Sequence, residues 1–184
     1  MRNAFEPGLP TRGTKVPAGR DWIHEIKRDG YRLIAQRDGA RVRLFNPQNG
    51  HDWTARYPRI VEAALRNRTT SFVIDGEAVL LGVDGTSDFI GLYSRRHDDE
   101  VKLYAFDVLA LDGDDLRKMP LHLRKTNLAR LLARRPEGIF VSEFEQGEIG
   151  PDLFRQACNF GLEGWSPSAA IDLTAPAGRL IGSR

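Results

Sequence analysis

Cysteine is almost missing from these 184 residues: Cys158 stands alone. No internal disulfide can form, and the composition suits a reducing compartment. Long apolar runs are missing too. No stretch approaches the ~20 residues of a membrane-crossing helix, and the opening MRNAFEPGLPTRG lacks the apolar core of a secretory signal. These absences predict a cytoplasmic protein with no membrane partner. Nor does one sign of charge dominate, since 27 Lys+Arg against 25 Asp+Glu leave +2, which neither demands nor excludes a polyanion. His24, His51, His97 and His122 show no metal-ligand spacing and read as structural. Cys158 falls beside Phe154 and Ala157 on the expected buried face of a short helix, with no local partner to make it a nucleophile.

What remains is enough for one domain: 41% of the residues are apolar, which fills a single core. No repeat, low-complexity tract or linker interrupts the chain before Gly164. Residues 1–20, with Pro7, Pro10 and Pro17, read as an extended lead-in. Alternation from Asp21 to Lys27 predicts a strand, and a turn follows at Arg28-Asp29-Gly30. Tyr31–Arg37 and Arg41–Phe45 flank Asp38-Gly39 as a hairpin. Ile60, Ala64 and Leu65 recur at helical spacing behind Pro58, and Leu128, Leu131 and Leu132 mark a second helix over about 121–134. Strands are expected at Phe72–Leu81, Val101–Leu111 and Ile139–Phe144, and a short helix at Pro151–Phe160 stopped by Gly161. Single helices between hairpin-linked strands predict an α+β domain with largely antiparallel sheets. Arg20, Arg28, Arg32, Arg37, Arg41 and Arg43 crowd the N-terminal third. They form either a strip for phosphates or a solvated arginine face.

The chemistry concentrates in HEIKRDGYR, His24 to Arg32. A lysine at a strand end, two residues before Asp-Gly and five before Arg32, holds an amine beside a carboxylate and a cation. The cation makes it easier for the amine to shed the proton it must lose before attacking an electrophile. The other reading, a surface lysine bonded to Asp29, stays open on this segment alone.

Its companions bear on the choice. Lys27-x-Asp29-Gly30-x-Arg32 resembles the nucleotidyltransferase signature of ATP-dependent DNA ligases. FVIDGEAV (Phe72–Val79) and LYAFDVLALDGDDLR (Leu103–Arg117) are similar to that family's next two signatures, in the same order. NGHDWTARYP and SRRHDD resemble bacterial members, above all the ligase modules of end joining. The resemblance covers roughly residues 5–164 and implies the ligase nucleotidyltransferase fold, an ATP-grasp-like α+β domain over 21–164. It implies that Lys27 takes AMP from ATP as a phosphoramide, passes it to a DNA 5′-phosphate, and lets a 3′-hydroxyl displace it to seal nicked or broken double-stranded DNA. Repair or end-joining proteins are the implied partners. By the same resemblance Glu25 meets the adenine amino group, Arg32 the ribose or phosphate and Phe106 the base face, with Asp29 and Gly30 completing the turn. Glu77 and Glu163 are the implied ligands of Mg²⁺ or Mn²⁺. RNA ligases and mRNA-capping guanylyltransferases share the lysine signature and remain alternatives, as does a non-catalytic DNA-binding remnant. LFNPQNG (Leu44–Gly50) departs from the family, which has Ser or Thr and then a basic residue near Asn46-Pro47.

The larger departure follows Gly164. The family continues with an apolar pair, Ser-Lys-Arg, Pro-Tyr, Gly-Arg and Trp-x-Lys. This chain reads WSPSAAIDLTAPAGRLIGSR, and no lysine follows Lys125. Regrouping each codon after Gly164 by one base permits LVSKRRDRPYRAGR, three free positions, then Trp-x-Lys, which restores the family order without a gap. Loss of one nucleotide near the Gly164 codon is therefore expected. Residues 165–184 are expected to be an aberrant, poorly ordered tail, the domain incomplete at its C-terminal side, impaired, and not followed by an oligonucleotide-binding domain.

Overall fold

A computed structural model describes residues 23–25, 28–134, 137–146 and 172–174. The lead-in at 1–20, Lys27, the helix expected at 151–160, Cys158 and Glu163 lie outside them. The elements run β1 (Ile23–Glu25), β2 (Tyr31–Asp38), β3 (Arg41–Phe45), α1 (Pro58–Arg66), β4 (Ser71–Val79), α2 (Phe89–Ser94), β5 (Lys102–Leu111), β6 (Asp114–Asp115), α3 (Leu121–Leu131), β7 (Ile139–Val141), β8 (Phe144–Gln146) and β9 (Asp172–Thr174). The larger sheet has the order β3-β2-β4-β5-β6, with β7 parallel to β5. A three-stranded sheet has the order β8-β1-β9 and is antiparallel throughout. The expected α+β class with mainly antiparallel pairing is thus observed.

Alternation along the central strands decides which side chains meet the helices. Leu33 and Ala35 on β2, Phe72, Ile74 and Ala78 on β4, and Leu103 and Ala105 on β5 join Ile60, Ala63 and Ala64 of α1 and Leu128 of α3 in the main core. The intervening residues Ile34, Val73 and Leu109 form a small apolar cluster of their own. Arg32, Asp75, Glu77, Tyr104 and Phe106 alternate with the core residues in the same strands, so the sheet turns its polar and aromatic groups away from the core.

Several expectations need correction. Leu65, placed by spacing on the apolar face of α1, is 40% exposed, and Ala63 takes the buried position. Ile139–Phe144 is two strands in different sheets. Asp172–Thr174 pairs with β1, within the tail expected to pack little. The basic strip is also dispersed. Arg32 is bound to Asp75, Arg43 to Asp52 at 3.4 Å, and the Arg28 guanidinium lies 4.0 Å from the Tyr104 ring centre.

Arg37 departs furthest from a phosphate role. It is 8% exposed and donates to the carbonyls of Ala64 (2.7 Å), Asn67 (2.7 Å), Thr69 (3.1 Å) and Gly39 (3.0 Å). A helix end leaves carbonyls without intrahelical donors, and this cation satisfies the end of α1 from the neighbouring strand. Arg37→Ala is expected to lower unfolding free energy by roughly 3 kcal/mol, because charged hydrogen bonds disappear and buried acceptors lose their donor. Urea denaturation followed by circular dichroism checks this.

Candidate active site

The turn Arg28-Asp29-Gly30 leads directly into β2, and β2 runs antiparallel to β4 with Tyr31 opposite Ala78 and Arg32 opposite Glu77. Gly30 is necessary for that approach. A Cβ at this position would stand 2.2 Å from the Ala78 carbonyl oxygen and 3.1 Å from Glu77 Cγ. The turn therefore packs on the backbone of β4 and against the Glu77 side chain. Space explains this glycine, since any side chain would push the turn off the sheet.

Asp75-Gly76 looks in isolation like a hairpin turn, yet it lies in the middle of β4, where the pairing with β5 shifts register between these two residues. Gly76 admits β5 closely, as a Cβ there would meet the Tyr104 carbonyl oxygen at 2.7 Å and Ala105 Cα at 2.9 Å. Asp75 is 1% exposed and takes a two-pronged grip from Arg32, Nε to Oδ1 at 3.1 Å and a terminal nitrogen to Oδ2 at 2.8 Å. Burial pushes the Asp75 carboxyl up from its ordinary pKa, and the Arg32 guanidinium pulls it partly back. This pair fixes the direction of Arg32, whose guanidinium carbon also lies 5.4 Å from the Phe106 ring centre.

Phe106 belongs to an aromatic row with Tyr104, two residues away on the same strand face. Tyr104 stacks on Phe140 at 5.6 Å between ring centres. An open cavity of 720 Å³ adjoins this row, lined by Arg28, Tyr104, Phe140, Ser142, Glu143 and Phe144 among others. Phe106 and Glu77 do not line it.

Glu25, on β1, is 5% exposed and pairs with Lys125 of α3, whose ammonium also donates to the Phe106 carbonyl. Arg124, the neighbouring residue, grips Asp107 through Nε (2.9 Å) and a terminal nitrogen (3.0 Å). The adjacent cations thus fasten α3 to β5 at Phe106-Asp107. Sequence reasoning missed Lys125, although its spacing from Leu121, Leu128 and Leu132 placed it on the apolar face of the helix. It also missed Asp75 as the partner of Arg32.

Of the residues anticipated for the site, Arg32, Glu77 and Phe106 are adjoining residues of one sheet face, Gly30 packs beside Glu77, and Glu25 reaches Phe106 through Lys125. Lys27 and Glu163 fall outside the described residues. For a divalent ion, no group of three or more acidic, histidine or cysteine side chains occurs among the described residues. Glu77 is the described carboxylate placed to contribute, and Mg²⁺ commonly binds one or two carboxylates with water and phosphate oxygens. The donor chemistry therefore fits.

The ATP dependent DNA ligase domain family model matches residues 14–165. The chain belongs to the ATP-dependent DNA ligase family. Relatives agree with this assignment. The multifunctional non-homologous end joining protein LigD of Pseudomonas aeruginosa is 34% identical over 167 residues, covering 89% of this chain and 20% of its own length. The corresponding LigD of Mycobacterium tuberculosis is 40% identical over 159 residues, covering 86% of this chain and 20% of its own. This chain thus spans about a fifth of the length of these relatives. Among solved structures, mycobacterial DNA ligase D in complex with ATP and MES superposes with a TM-score of 0.70 at 31% identity, over 91% of this chain and 54% of that one. The peripheral signatures of the ligase domain also meet in space. Arg56 of NGHDWTARYP holds Asp98 of SRRHDD at 3.0 Å while its guanidinium lies 4.7 Å from the Trp53 ring centre. No helix of the described residues is long and apolar enough to cross a membrane.

Proposed function

We propose that this ligase domain acts as an adenylate-transferring enzyme, with Lys27 as the acceptor of AMP, and that its downstream substrate is nicked or broken double-stranded DNA. The observation that carries the reading is the packing of the signature turn at Gly30 against Glu77, beside Arg32 and Phe106. The neutral Lys27 amine attacks the α-phosphorus of ATP. An N–P bond forms, the bond from that phosphorus to the bridging oxygen breaks, pyrophosphate leaves, and the amine's surplus proton passes to solvent. A DNA 5′-phosphate oxygen then takes the adenylyl group with rupture of N–P, and a 3′-hydroxyl displaces AMP to close the strand. Arg32, directed by Asp75, offers charge to ribose or phosphate, Phe106 offers an aromatic face to the base, and Asp29 completes the turn. Mg²⁺ or Mn²⁺ supplies charge neutralisation at the leaving phosphates, with Glu77 and Glu163 as the residues that would hold it. End-joining proteins are the proposed partners, in keeping with the names of the relatives.

The family model stops at residue 165, one residue past Gly164, where the order of lysines and aromatics departs. This favours a second reading, in which residues 165–184 are a shifted frame and the chain binds DNA without completing transfer. Incubation with ATP labelled on its α-phosphate and Mg²⁺ separates the two. Covalent label supports the enzyme, while no label together with salt-sensitive DNA binding supports the remnant. The gene sequence through codons 160–184 is expected to show codons compatible with the one-base regrouping. Codons that cannot be regrouped into the family order would refute the shift.

A further inference from the structure

The buried Glu25–Lys125 pair has no part in the phosphoryl-transfer steps, and stability does not explain it well. Lys125 is 2% exposed and shares its helix face with Leu121, Leu128 and Leu132, all buried. Taking an ammonium and a carboxylate out of water is expensive, and apolar groups of similar volume generally serve such positions as well or better. What an apolar residue could not do is bond two groups at once. The Lys125 ammonium joins the Glu25 carboxylate to the Phe106 main-chain carbonyl, and Nζ stands 5.1 Å from the Phe144 ring centre. Glu25 is a hundred positions away in sequence, on the other sheet, so the lysine ties two sheets together at one point.

We infer that Lys125 is a positioning residue for nucleobase selection: it holds Glu25 ionised and fixed against Phe106, so that the pocket accepts a 6-amino purine and rejects a 6-oxo purine. This rests on the proposed role of Glu25 and Phe106 at the base. An ionised carboxylate is an acceptor only. It takes a hydrogen bond from the adenine amine, but it faces lone pair to lone pair the 6-oxygen of a hypoxanthine or guanine base. A protonated carboxyl would donate to that oxygen and lose the distinction. An adjacent ammonium favours the ionised form. Its second bond, to the Phe106 carbonyl, ties the reading carboxylate to the residue proposed to stack on the base, so hydrogen-bonding edge and stacking face keep one spacing.

The test uses the full chain with ATP and with ITP, whose base has a 6-oxygen beside a protonated N1 where adenine has a 6-amine beside an unprotonated N1, each titrated calorimetrically in Mg²⁺. Wild type should prefer ATP. Lys125→Met, which matches the lysine in length without its charge, should lower the ATP-to-ITP affinity ratio about tenfold, the size of a lost charge-assisted hydrogen bond. Tripolyphosphate affinity should stay unchanged, since the effect is confined to the base. A folded Lys125→Met with the wild-type ratio overturns the inference while leaving the role of Glu25 intact. Should Lys125→Met not fold, the same ratio on Lys125→Gln, which keeps both donors without the charge, decides in the same way. A wild-type chain that binds ATP and ITP equally, or neither, refutes the adenine-reading role of Glu25 and this inference with it.

Discussion

Lys27→Ala is expected to form no covalent adenylate under conditions in which the wild-type chain is labelled by α-phosphate-tagged ATP and Mg²⁺. Removal of a covalent nucleophile eliminates the intermediate itself, and losses on the order of 10⁶ are known for such groups. The substitution leaves the charge environment of the site in place, because Arg28 lies over Tyr104 and Arg32 remains clamped to Asp75. ATP binding should accordingly change far less than labelling. This contrast separates a nucleophile from a residue that only holds phosphate, whose loss weakens binding and labelling together. Lys27→Arg sharpens the comparison, since a guanidinium keeps the charge but does not deprotonate to attack phosphorus. Label on either variant would remove Lys27 from the chemistry.

Gly30→Ala has the second largest expected effect and works through space. The added methyl would meet a main-chain oxygen at 2.2 Å, and a backbone carbonyl in a sheet cannot swing aside as a long side chain can. Either the signature turn lifts from β4 or β2 and β4 separate at Tyr31 and Ala78. Both outcomes move the turn relative to Glu77, and misplacement by about 1 Å can cost about 10²-fold in rate. Labelling should fall by at least that much in a chain whose circular dichroism still shows the sheet. Gly39 offers the control. It too is a glycine in a turn, with φ at +59°, but nothing lies within 4 Å of its would-be Cβ. Gly39→Ala should therefore cost stability through backbone strain while sparing the labelling rate of the folded fraction.

Much of this architecture was legible in the sequence, and the reasons are physical. The β2–β3 hairpin announces itself because a glycine-containing turn separates two alternating segments, and Asp38 does pair with Arg41 across it. Pro58 sits at the first turn of α1 as expected, because its missing N–H is not needed there. The illegible parts depend on long-range packing. Asp75-Gly76 reads as a turn to local rules. Only the approach of Tyr104 and Ala105 shows why glycine occupies a strand interior, and only the arrival of Arg32 explains the buried aspartate. Arg37 looks like one arginine among six until the carbonyls of α1 are seen to converge on it. Lys125 was hidden differently: its helical spacing marked it as buried, but the reason for burying a cation lies a hundred residues upstream in Glu25. The short helix Phe89–Ser94 escaped notice because six residues give too little periodicity to register, although Asp88 caps it through the Gly91 amide at 2.8 Å.

If Lys27 carries AMP, intact-protein mass spectrometry after incubation with ATP and Mg²⁺ shows a gain equal to AMP less one water, located by fragmentation on Lys27 and reversed by added pyrophosphate. An unchanged mass in a folded, ATP-binding chain, or an adenylate on any other residue, would contradict it.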